Sequence, residues 1–145
     1  MSTNIFLSKE DEQQVVQAIQ SAENLTSGEI RVHIESVCRG NVLDRAAYLF
    51  KSLDMHKTEL KNGVLIYLST QDRKFAIIGD AGINAVVPPG FWDDVRDLMT
   101  GNFSKGDLVR GFVLGIEQVG EKLKTFFPHQ DNDINELSNE ISFGK

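Results

Sequence analysis

The chain has 145 residues, a net charge of −6, 41% hydrophobic and 25% charged residues, which suits one domain with a real core and excludes a disordered chain. The negative charge opposes nonspecific nucleic-acid binding, which depends on Lys and Arg neutralising phosphates, and leaves cation binding open wherever carboxylates cluster. Cys38 has no second cysteine to pair with, Met1 to Leu7 is too short and polar for a signal peptide, and no apolar run nears the ~20 residues of a membrane span, so a cytoplasmic protein without membrane contact is expected.

In chain order, Ser8 caps a predicted helix to about Asn24, with Val15, Val16, Ile19 and Ala22 at helical spacing. Ile30, Val32 and Ile34 then alternate with Glu29, Arg31, His33 and Glu35, the period of a half-buried strand. Asp44 is the expected cap of a second helix carrying Ala47, Leu49, Phe50 and Leu53. Asn62-Gly63 introduces Val64 to Leu68, a continuous apolar run suited to a central strand covered on both faces. Lys74 to Gly79 returns as the antiparallel partner of that strand. A loop from Asp80 through Pro88-Pro89-Gly90 leads to a helix from Asp93-Asp94 to about Met99. Ser104 or Asp107 starts the last helix, where Val109, Phe112, Val113, Ile116, Val119 and Leu123 form one apolar stripe. Gly111 and Gly115 within it suggest close packing onto the sheet. The expected architecture is a three-layer αβα sandwich over residues 1–127, with a mixed sheet of three to four strands. Residues 128–145 read as an acidic polar tail.

Chain direction converts this outline into a site. If the first two strands are parallel and the third antiparallel, the end of the third lies beside the starts of the other two. Glu29, Asn62, Asp80, Asp93 and Asp94 then converge from separate segments. Such hard oxygen ligands suit Ca²⁺, or Mg²⁺ or another divalent cation, and carboxylates gathered without a cation repel. Each also has a simpler reading: Glu29 as a solvated strand end, Asn62 as a turn residue, Asp93 and Asp94 as favourable charges at a helix start. Asp80 between two glycines is the most specific of them.

Other chemistries fit less well. Cys38-Arg39-Gly40 lacks the arginine that a phosphotyrosine-phosphatase loop needs, since Asp44 stands there, and Cys38 reads as an inert small hydrophobe. His33, His56 and His129 lack zinc-ligand spacing. His33 reads as a surface histidine, and His56 as an auxiliary ligand at most. Asp131, Asp133 and Asn135 imitate an EF-hand start, but Glu136 occupies the glycine position and Ser142 the final glutamate position.

Thr26-Ser27-Gly28-Glu29-Ile30, Asn62-Gly63-Val64-Leu65, Asp72-Arg73-Lys74, Gly79-Asp80-Ala81-Gly82 and Asp93 or Asp94 together resemble the TPM domain family in its stand-alone, soluble bacterial form. The resemblance spans roughly Ser8 to Phe127. It implies an αβα sandwich with Ca²⁺-type binding in loops at one sheet end. Val87 to Trp92 departs from the family's usual run, which leaves the choice between Asp93 and Asp94 open. The expected function is a cation-ordered regulatory or interaction module with a protein partner. The alternative, implied by the family's plant members, is a metal-dependent acid phosphatase acting on phosphomonoesters.

Overall fold

A computed structural model describes residues 7–130 and 137–144. The EF-hand-like residues Asp131, Asp133 and Asn135 lie outside the described residues. Three helix starts show why the elements begin where they do. Ser8 accepts the Asp11 N–H and opens α1 (Lys9–Glu23). Asn41, not Asp44, caps α2 (Val42–Ser52), its Oδ1 accepting the Leu43 and Asp44 N–H groups at 2.8 and 3.1 Å. Asn is among the strongest N-cap residues, and Asp44 instead sits in the first turn, where the helix dipole favours its charge. Asp107 rather than Ser104 caps α5 (Leu108–Lys124), because Ser104 closes α4 (Asp93–Ser104), which runs past Met99. The loop after Asp80 also holds a short helix, α3 (Ala81–Asn84).

The sheet has four strands in the order β3-β2-β1-β4. β1 (Glu29–Glu35) runs parallel to β2 (Gly63–Ser69), and β3 (Lys74–Gly79) is antiparallel to β2. The fourth strand, β4 (Ser142–Phe143), comes from the segment read as a polar tail and pairs parallel with β1. Leu137 and Ile141 of the same segment are buried, so its isolated apolar residues anchor it to the domain.

Side-chain alternation sorts the strands into two cores. Ile30, Val32, Ile34, Val64, Ile66, Leu68 and Ile77 face a large core filled by α1, α4 and α5. Leu65, Tyr67 and Ala76 face a smaller core under α2. Each fully buried aliphatic side chain contributes about 1.5–3 kcal/mol. β1 was expected to be half-buried, but Arg45 of α2 and the segment 137–144 cover its polar side too. His33 is 4% exposed and Glu35 2%, and Ala46 rather than Ala47 faces inward. The glycines of α5 admit neighbouring helices, not the sheet. A Cβ at Gly115 would collide with Met99 of α4, and one at Gly120 would lie 2.8 Å from the Ala22 Cβ of α1. Among the described residues no helix is long and apolar enough to cross a membrane.

Candidate metal centre

β1 and β2 begin at the sheet edge where β3 ends. Glu29 pairs with Gly63, and Val64 with Gly79. The Glu29 N–H donates to Asn62 O at 3.2 Å, and the Asp80 N–H to Gly63 O at 2.9 Å. Glu29, Asn62 and Asp80 are therefore backbone neighbours at one edge. Their side chains are engaged differently. Glu29 lies on the α2 side of β1, where its Oε1 accepts the Leu137 N–H at 2.6 Å, and it is 4% exposed. Asn62 turns its Nδ2 to Ser27 O at 3.2 Å and is buried. Asp80 caps α3, with Oδ1 accepting the Ala81 N–H at 2.7 Å. Its Oδ2 is buried and has no hydrogen-bond partner among the described residues.

Asp93 and Asp94 start α4 in the opposite layer, and both are exposed. Asp93 pairs with Arg96, and Asp94 lies 3.7 Å from the Lys122 ammonium of α5. Trp92 and Phe91 stack edge-to-face and pack against the large core, which anchors the helix start. Among the described residues no three His, Cys, Asp or Glu side chains come close enough to hold a metal ion. Main-chain oxygens gather instead beside Gly82, two residues after Asp80. The Gly82 N–H donates to Lys61 O at 2.9 Å, and a Cβ at Gly82 would stand 2.6 Å from that oxygen and closer still to Leu60 O. Periodicity reports only side chains, so these carbonyls leave no sequence signal beyond Gly82 itself.

The sequence model of the TPM domain matches residues 3–122. The chain belongs to the TPM domain family. Among solved structures, BA42 from the psychrophilic bacterium Bizionia argentinensis is 46% identical, with a TM-score of 0.92 over 99% of both chains. The N-terminal domain of a P. gingivalis protein is 20% identical, with a TM-score of 0.70 over 88% of this chain and 83% of that one. A Corynebacterium glutamicum N-terminal domain, 14% identical, has a TM-score of 0.62 over 96% of this chain and 80% of that one. The last two likenesses concern the fold alone. No curated protein matches this chain.

This TPM domain carries a second polar cluster at the other end of β1. Glu35 accepts from Arg45 Nε at 2.9 Å and Nη2 at 2.8 Å, from His33 Nε2 at 3.0 Å, and from the Tyr67 hydroxyl. Because an ionised carboxylate only accepts, His33 carries its proton on Nε2, and Nδ1 accepts from Ser142 Oγ at 2.9 Å. The network thus ties β4 to β1. Burial lowers the His33 pKa in spite of Glu35. Single-sequence reasoning missed the cluster, because alternating Glu, His and Arg on a strand read as a solvated face.

Glu23 of α1 accepts the Ile30 N–H at 3.0 Å near the start of β1. Burial, helped by the Glu29 charge and opposed by that hydrogen bond, pushes its carboxyl up to about 7. A folded-state value above the ordinary carboxylate range means that the fold prefers protonated Glu23. Its contribution is fully present below about pH 4.5 and is lost as pH rises through about 7. Glu23→Gln keeps an acceptor for Ile30 and removes the charge. It is expected to stabilise the protein by roughly 1–3 kcal/mol at pH 8 and to flatten this part of the pH profile. Thermal melts of both proteins from pH 5 to 8 check this, and equal melting temperatures at pH 8 would count against it.

Proposed function

We propose that the protein is a divalent-cation-binding TPM module of the Ca²⁺ class, in which the cation orders the loops at the edge holding Asp80. The carrying observation is Asp80 Oδ2, a buried carboxylate oxygen with no donor among the described residues. A buried anionic oxygen is costly without a hydrogen bond or a cation. Asp80 would supply the charged ligand, and the nearby carbonyls of the Leu60–Lys61 turn are hard oxygens of the kind Ca²⁺ accepts, with waters completing six to eight ligands. Asn62 and Glu29 would join by giving up the Ser27 and Leu137 contacts. Asp93 or Asp94 would join by exchanging Arg96 or Lys122 for the cation. The same loops, once ordered, form the surface a protein partner would read.

A cation at ~100 times its dissociation constant should add about 2.7 kcal/mol to folding stability, a rise of several degrees in Tm for a chain of this size. Asp80→Asn keeps the α3 cap and removes the charge, so its melt should barely respond to CaCl₂. Melts of both proteins in EDTA and in millimolar CaCl₂ test the reading. An identical wild-type Tm in the two buffers, or a mutant retaining the full calcium shift, removes Asp80 as a ligand.

A further inference from the structure

We infer that the cavity between β1, the turn after α2 and the segment leading to β4 is a binding site for a small monocarboxylate with a short apolar body. The cavity has a volume of about 270 Å³ and is lined by Arg31, Leu53, Asp54, Lys57, Thr58, Leu137 and Ser138. It lies on the α2 side of the sheet.

Arg31 carries it. Among the described residues its buried Nε has no hydrogen-bond partner, although a guanidinium presents five donors and is rarely left unsatisfied. No ion pair to Arg31 is formed among the described residues, the attractive charge facing it being the exposed Glu140. The guanidinium fork matches a carboxylate with two parallel N–H···O bonds. Lys57 adds a second cation at the rim, and the Ser138 hydroxyl adds a further polar group.

Charge and shape choose among anions. Lys57 is 3.3 Å from Asp54, so among the described lining residues Arg31 and Lys57 stand against Asp54, a net of one positive charge. A monoanion balances it, whereas a phosphate dianion would leave an excess negative charge beside Asp54 and Glu140. Leu53 and Leu137 give the cavity two apolar walls, which an alkyl or aryl body would cover and a bare inorganic anion would not.

The test is a titration of the full chain with hexanoate, followed by amide NMR at constant ionic strength, with hexanol and inorganic phosphate as separate arms. Saturable shifts are expected at the Arg31, Thr58, Leu137 and Ser138 amides with hexanoate and with neither control. Arg31→Met, which keeps the buried stem, should weaken binding by about tenfold or more. Lys57→Ala, at an exposed position, should weaken it several-fold and covers the case in which Arg31→Met does not fold. Absence of saturable shifts with millimolar hexanoate, or unchanged affinity in both variants, overturns the site. Saturation by phosphate at the same amides overturns the monocarboxylate assignment.

Discussion

Glu35→Ala should cost about 3–5 kcal/mol of folding stability, the usual penalty for removing one partner of a buried charge network. The Glu35 side chain is 3% exposed and accepts from Arg45, His33 and Tyr67. Alanine would leave the guanidinium without its anion and the Tyr67 hydroxyl and His33 Nε2 without acceptors. The Tyr67 hydroxyl and His33 Nε2 are buried and cannot be fully hydrated. The tie between Ser142 and His33 would weaken as well, since Glu35 holds the histidine tautomer. Urea denaturation measures the loss, and melting should fall by on the order of 10 °C. Acid gives an independent check. Burial alone would raise the Glu35 pKa, but the hydrogen bonds from Arg45, Tyr67 and His33 outweigh it and hold the carboxyl at about 2. A depressed folded-state value contributes stability above the ordinary carboxylate range, and that stability is lost as pH falls from about 4.5 to about 2. The wild type should lose more stability across this window than the alanine variant. A penalty below about 1 kcal/mol would mean that the cluster behaves as a solvated surface pair.

The apolar layers were legible because periodicity reports them directly. Val64 to Leu68 read as a central strand, and it is flanked by β1 and β3 as expected. Chain direction also brought Glu29, Asn62 and Asp80 to one edge, since a parallel pair followed by a hairpin allows no other arrangement. What alternation cannot report is which side chains leave the edge for other partners. Glu29 turns to the backbone of Leu137, more than a hundred residues away, and Asp94 faces Lys122 on a helix whose packing depends on Gly115 and Gly120. Short elements carry too little pattern to be read: α3 follows one aspartate cap, and β4 is two residues long. The polar face of β1 misled for a different reason. Charge on a strand predicts solvent only if no helix supplies a counter-charge, and Arg45 of α2 supplies it here.

Gly82→Ala should destabilise the protein by about 3 kcal/mol or more, above the ordinary range for overpacking, because the obstacle is backbone rather than a flexible side chain. The new methyl would stand 2.6 Å from Lys61 O and nearer still to Leu60 O. Neither oxygen can retreat easily. Lys61 O accepts the Gly82 N–H at 2.9 Å, Lys61 itself is held at φ +52°, and the adjoining Asp80 N–H is bound to Gly63 O. Relief requires α3 to move off the 58–62 turn, which breaks the Lys61–Gly82 bond. Gly101→Ala is the matched control. Gly101 lies within α4 with open space where the methyl would go, so the same substitution should stabilise by about 0.5–1 kcal/mol through helix propensity. Opposite signs are therefore expected from one chemical change, read by urea titration of the two variants. If Gly82→Ala still folds, its melting temperature should respond to CaCl₂ much less than that of the wild type, because on the proposed cation reading the methyl pushes α3, which Asp80 caps, off the Leu60–Lys61 turn. A full calcium shift in that variant would move the cation away from the Leu60–Lys61 turn. A destabilisation no larger than 1 kcal/mol would show that the turn yields freely and is too soft to pre-form a ligand set.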